Sequence, residues 1–201
     1  MPPLLHPFYP VVPDLTWIEG LVPLGIKTIQ LRLKDASDEK IKRQISKSME
    51  ICAHHDCTLI INDYWQTALE LGANFIHLGQ EDLVQADLPA IRKAGLKLGI
   101  STHSHKELDI ALAANPDYVA LGPIWETKLK KMKWQPQGLE RLKDWARKSP
   151  VPIVAIGGIT LERAPAVYEA GAASIAVVTD IVADAQPEQR VKNWLELTCA
   201  K

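Results

Sequence analysis

The chain has 201 residues, 47% apolar and 23% charged, the balance of an ordinary soluble globular protein, and its length favours one domain, residues 1–201, over two. With 23 basic against 24 acidic residues and a net charge of −1 there is no general nucleic-acid surface, so any anion site must be a local cluster. No apolar run approaches the ~18 residues of a membrane span. Cys52, Cys57 and Cys199 lack metal-ligand spacing, which predicts free thiols in a reducing cytoplasm.

Short apolar runs alternate with helix-like segments along the chain. After a proline-rich lead-in, Phe8 to Val12 reads as a first strand weakened by Pro10, and Leu15 to Leu24 as a short helix closed by Gly25. Thr28 to Lys34, TIQLRLK, reads as the second strand. Its polar residues Gln30, Arg32 and Lys34 are two apart and so share one face. Burying Arg and Lys unpaired costs several kcal/mol, so that face is not an ordinary core. It is either a wet face on a half-buried strand or a strand end opening into an anion site, where amide, guanidinium and ammonium groups meet phosphate oxygens.

Ser37 is expected to cap a long helix with apolar positions Ile41, Ile45, Met49 and Cys52. Thr58 to Ile61 is a third strand, followed by a helix around Trp65 to Leu71. Phe75 to Leu78 is a fourth, with a short helix near Leu88 to Lys93, and Lys97 to Ile100 a fifth. Ser104 and Glu107 form a capping box ahead of a helix through Ala113. Tyr118 to Leu121 is a sixth strand, followed by a long loop and a helix near Gly138 to Arg147. Ile153 to Ile156 is a seventh, with Thr160 capping a helix to Ala170. Ala173 to Val178 is the eighth, and Pro187 opens a terminal helix. Strands apolar on both faces, each followed by a helix, predict parallel pairing with helices outside. Eight such units predict an α/β fold of one class, a compact single (β/α)8 TIM barrel with short loops, rather than an open doubly wound sheet.

In such a barrel chemistry sits where strands end and loops begin. Polar residues gather there strand by strand: Gln30, Arg32 and Lys34; Asn62 and Asp63; His77, Gly79, Gln80 and Asp82; Ser101 and His103; Thr127 and Lys130; Gly157 and Gly158; Thr179 and Asp180. Gly157 and Gly158 suit backbone N–H groups approaching a phosphate, and equally a plain glycine turn. Asp63 and Asp82 beside Arg32, Lys34 and Lys130 suit a metal between carboxylates and phosphate; each aspartate alone suits a helix cap. His54, His55, His105 and His6 lack partners in sequence, and His103 is as compatible with packing as with catalysis. The lysine run Lys128 to Trp134 reads as a loop flap rather than a nucleic-acid patch. No nucleophile motif is present.

The motifs QLRLK, IND (Ile61 to Asp63), HLGQEDL (His77 to Leu83), GISTH (Gly99 to His103), ALGPIWETKLKK (Ala120 to Lys131), PQG (Pro136 to Gly138) and AIGGI (Ala155 to Ile159) fall in order on consecutive strands. In that order they resemble the thiamine-phosphate synthase family, from about Tyr9 to Ile181. The resemblance implies Mg2+-dependent coupling of a hydroxymethylpyrimidine diphosphate with a thiazole phosphate or its carboxylate, giving thiamine phosphate and diphosphate. It implies that Gln30, Arg32, Lys34, Asn62 and Lys130 hold the diphosphate and that Asp63 and Asp82 are the magnesium ligands. Ser101 then lies near the pyrimidine and reaction centre, while Thr127, Gly158 and the backbone at Val178 and Thr179 contact the thiazole phosphate. Arg32, Lys34, Lys130 and Ser101 are the residues expected to carry catalysis.

Two departures stand out: Glu126 where proline is common before the threonine, and Asp180 where a small residue is common, which must point away from the phosphate. The partners implied are small phosphorylated molecules, with no nucleic acid and no membrane; the sequence is compatible with a homo-oligomer. Rival readings are a thiazole tautomerase-like barrel, using His103 as proton carrier, a phosphosugar isomerase, and a non-catalytic thiamine-phosphate-binding module. The full cationic set and the aspartate pair favour the synthase over all three.

Overall fold

A computed structural model describes residues 5–34, 36–127 and 134–199. Eight parallel strands close into one barrel in chain order: β1 (Phe8–Val12), β2 (Thr28–Leu31), β3 (Thr58–Asn62), β4 (Phe75–Leu78), β5 (Lys97–Thr102), β6 (Tyr118–Leu121), β7 (Ile153–Ile156) and β8 (Ser174–Val177). The helices are α1 (Leu15–Leu21), α2 (Asp38–His54), α3 (Trp65–Leu71), α4 (Gln80–Gln85), α5 (Leu88–Lys93), α6 (His105–Ala113), α7 (Gly138–Lys148), α8 (Ala164–Glu169), α9 (Thr179–Val182) and α10 (Pro187–Cys199). None of the described helices is long and apolar enough to cross a membrane.

Alternation along the strands sorts the apolar residues into two layers. Outward positions such as Ile29, Leu31, Ile61, Ile76 and Leu98 pack beneath the helices. Tyr9, Val11, Ile60, Phe75, Tyr118, Ala120, Val154 and Ala176 fill the barrel interior. Both faces of each strand are therefore buried, which explains why the strands read as continuous apolar runs.

Several element ends differ from the sequence reading for identifiable reasons. β2 stops at Leu31, so Arg32 and Lys34 lie in the loop beyond it, half-buried and exposed, while Gln30 is buried. Ser37 stands at the start of α2 without a side-chain cap bond. Thr160 does not cap α8: its carbonyl accepts from Arg163 and Ala164 in a turn, and the helix starts at Ala164. Pro165 fixes that start, because proline is tolerated in the first helical turn and costs a hydrogen bond deeper inside. Two short helices, α4 and α9, follow β4 and β8 where the sequence suggested only loop.

Candidate active site

The strand ends and their loops form one mouth. On the β2–β4 side, Asn62 is buried at the end of β3, in register beside His77 of β4. Asp63 follows with φ 67°, a left-handed conformation uncommon outside glycine. Its N–H donates to the His77 carbonyl at 2.9 Å, and its own carbonyl accepts from Trp65. The Asp63 carboxylate interacts with the Asp82 carboxylate, the Arg32 guanidinium and the Asn62 amide rather than with a helix end. Burial and the Asp82 charge push the Asp63 carboxyl up to about 6, partly offset by the Arg32 guanidinium and by a hydrogen bond from Asn62.

Asp82 lies in the first turn of α4, and its Oδ2 is 3.0 Å from where a Cβ on Gly79 would stand. Neither aspartate caps a helix: α3 starts behind Tyr64 and α4 behind Gly79, both without a side-chain cap bond. The capping alternative is thereby removed. The Arg32 backbone N–H donates to the Val12 carbonyl at 2.8 Å, but its guanidinium makes no hydrogen bond or ion pair among the described residues, although its charge is felt by Asp63 and His77. A like-charged pair facing an uncommitted guanidinium is electrostatically incomplete and suits an ion bound together with an anion. Among the described residues no cluster of three or more His, Cys, Asp or Glu could hold a metal. Two carboxylates with substrate oxygens nevertheless suffice for Mg2+, which keeps several waters.

On the β6–β8 side the glycine turn is packed as well as open. Gly157 and Gly158 have φ of 95° and 65°. A Cβ on Gly157 would stand 2.7 Å from Pro123 Cα and 3.4 Å from Thr127 Cγ2; one on Gly158 would stand 2.7 Å from the Glu126 carbonyl. Backbone bonds from Ile124 to Ile156 O at 3.0 Å and from Trp125 to Gly157 O at 3.1 Å knit the two loops together. Arg163 donates to the Gly158 carbonyl and lies over the Trp125 ring at 4.9 Å. Thr127 is thus brought beside the glycines. Val178 and Thr179 open α9 directly after β8, the short extra helix that accompanies phosphate sites in this fold.

Asp180 does turn away. Its carboxylate accepts from Arg190 Nε at 2.9 Å, Arg190 Nη2 at 2.8 Å and Trp194 Nε1 at 2.8 Å, tying α9 to α10. Lys34 is exposed at the rim, and Lys130 lies outside the described residues. His103 is engaged by the cap of α6: its N–H donates to Glu107 Oε2 at 2.7 Å, its Nδ1 pairs with the same oxygen at 2.9 Å, and its ring stacks on Trp134.

Ser101, half-buried on β5, has its Oγ 2.7 Å from His77 Nε2. Behind it, His77 Nδ1 is 2.7 Å from the Tyr118 hydroxyl, which is 3.5 Å from that of Tyr9. The sequence places His77 at a strand end and Tyr9 and Tyr118 within strands, with no role for either tyrosine. The available signal was the register: Gly99 separates His77 from Tyr118, and a glycine between two large inward residues leaves room for them to touch.

The sequence profile of the thiamine monophosphate synthase family matches residues 9–181. A thiamine-phosphate synthase from Rhizobium etli is 59% identical over 195 residues, covering 96% of this chain and 96% of that relative. One from Escherichia coli O157:H7 is 47% identical over 190 residues, covering 94% of this chain and 90% of that relative. Among solved structures, thiamine phosphate pyrophosphorylase from Pyrococcus furiosus superposes with a TM-score of 0.85 at 23% identity, over 96% of this chain and 95% of that one. That last likeness is one of fold.

Proposed function

Because the chain belongs to the thiamine monophosphate synthase family, we propose that it joins a hydroxymethylpyrimidine diphosphate to a thiazole phosphate, plain or carboxylated. The products are thiamine phosphate and diphosphate, made in the cytoplasm. The observation that carries this reading is the uncommitted Arg32 facing the Asp63–Asp82 pair at the ends of β2 to β4.

In this reading Gln30, Arg32, Lys34, Asn62 and Lys130 hold the diphosphate, and Asp63 and Asp82 would hold Mg2+ against it. The ion, when bound, supplies positive charge to the leaving diphosphate oxygens. Arg32 and the lysines add to that charge from the protein, where a single well-placed contact is worth about 3–4 kcal/mol of barrier. Departure from a carbon attached to an electron-rich aminopyrimidine allows a dissociative path. The thiazole nitrogen is already a nucleophile and needs orientation rather than a general base. Thr127, Gly158 and the Val178–Thr179 backbone would orient it through its phosphate, and Ser101 would face the pyrimidine.

The test is product formation from the two phosphorylated substrates with Mg2+ and with excess chelator. Coupling is expected only with the metal. Equal turnover in chelator would remove the metal role from Asp63 and Asp82.

A further inference from the structure

The hydroxyl–imidazole chain behind Ser101 has a direction. Tyr9 and Tyr118 are fully buried in the barrel interior, and burial pushes both phenols up, so both keep their protons. A buried O–H without an acceptor is costly. The one hydrogen-bond partner of the Tyr9 hydroxyl among the described residues is the Tyr118 oxygen, 3.5 Å away, so Tyr9 donates and Tyr118 accepts. The Tyr118 proton then has His77 Nδ1, at 2.7 Å, as its acceptor. That nitrogen is bare. The neutral ring must carry its proton on Nε2, which donates to Ser101 Oγ at 2.7 Å. With its oxygen accepting from behind, Ser101 has its own proton left to give.

The backbone is arranged to allow this chain. His77 and Tyr118 are both in register with Gly99, one on each side of β5. A Cβ on Gly99 would overlap the Tyr118 ring, so only glycine lets the phenol cross β5 to reach the imidazole. The His77 and Tyr118 rings stack with centroids 5.6 Å apart, and Phe75 meets Tyr118 edge-on at 5.7 Å. Gln80 Nε2 donates to the Ser101 carbonyl at 2.7 Å and steadies its backbone.

We infer that Tyr9, Tyr118 and His77 are positioning residues that fix Ser101 as a hydrogen-bond donor toward the mouth, so that the ligand atom it meets is a lone-pair acceptor. Resting on the synthase reading, that atom is a ring nitrogen of the aminopyrimidine rather than its exocyclic amino group. The relay thereby favours a heterocycle that presents an acceptor at that edge, since the opposite tautomer would spend the Ser101 proton on His77.

The first test is the imidazole nitrogen spectrum of the substrate-free protein, which judges the relay whether or not the synthase reading holds. His77 is expected with a protonated Nε2 and a bare Nδ1; the opposite tautomer or an imidazolium overturns the inference. The second is a kinetic cycle. Tyr118→Phe frees the tautomer and is expected to raise the KM for the pyrimidine diphosphate roughly five- to tenfold, the worth of one hydrogen bond, with the thiazole KM unchanged. Added to Ser101→Ala it should cost nothing further, because its effect passes through Ser101. Additive losses, or a matching rise in the thiazole KM, overturn it. Tyr9→Phe, a smaller intrusion, is expected to act in the same sense and more weakly; an unchanged pyrimidine KM there together with additivity at Tyr118 counts against the relay.

Discussion

On the β2–β4 side of the mouth, Arg32, Asp63 and Asp82 face one another with little to satisfy them, and Asp63 is held in a left-handed turn. On the β6–β8 side nearly everything is paired: the glycine turn is bonded to the neighbouring loop, Arg163 covers Gly158, and Asp180 is locked to Arg190 and Trp194. In the proposed reaction the difference separates two jobs. A surface that must draw charge off a leaving group keeps its own charges uncommitted, at a cost to stability. A surface that orients a nucleophile works by shape and can be rigid.

The largest expected effect breaks the charged side. Arg32→Ala should lower kcat about 10²- to 10³-fold, the scale of losing one charge-stabilising donor, while His103→Ala should stay within about tenfold of the parent. Because the Arg32 guanidinium has no ion pair among the described residues and only partly offsets the Asp63 charge, its removal should lower the thermal midpoint by no more than a few degrees. Steady-state kinetics and a melting curve on the two variants check this. The reverse order of activities would favour a proton-transfer role for His103 and sink the clamp.

The glycine side should respond in the other currency. Gly158→Ala puts a Cβ 2.7 Å from the Glu126 carbonyl at a φ of 65°, so both strain and a backbone clash oppose it. A stability loss of about 2 kcal/mol is expected, lowering the midpoint roughly 4–8 °C in a domain of this size. The KM for the thiazole phosphate should rise and that for the pyrimidine diphosphate stay put. A variant with normal stability and normal thiazole KM would mean that this loop neither needs glycine nor meets the phosphate.

The contrast between the sides also marks what the sequence could disclose. The barrel was legible because parallel strands buried on both faces leave apolar runs, and because each helix keeps its own stripe. That Arg32, Asp63, Asp82 and Gly158 lie beyond the strand ends was legible because the fold puts loop residues after every strand. Long-range pairings were not: Asp180 and Arg190 are ten residues apart around a turn, and Ser101, His77, Tyr118 and Tyr9 meet only through register. Nor was the left-handed Asp63, since nothing in an Asn-Asp-Tyr run demands it. Local chemistry is written in types and spacing, whereas contacts across a closed sheet depend on which residues lie side by side.

The smallest effect sharpens the claim that the charged side is strained by its own composition. Asp63 titrates in the folded protein at about 6 against an ordinary 3.8, raised by burial first and by Asp82 second. Between those values the folded state binds more protons than the unfolded one, so stability falls as pH rises. The contribution is fully present below about 4 and gone above about 6. Other carboxylates act in the opposite sense, so the measurement is a difference: the midpoint of the parent minus that of Asp63→Asn, followed from pH 4 to 7 without divalent metal. That difference should decline toward pH 6 and level off above it. Adding Mg2+ should restore stability to the parent most strongly above pH 6, where both carboxylates are free to take the ion, and should do little for Asp63→Asn. A difference that rises with pH would mean that Arg32 outweighs burial and Asp82, making Asp63 the partner of a finished ion pair instead of half of an unfinished site.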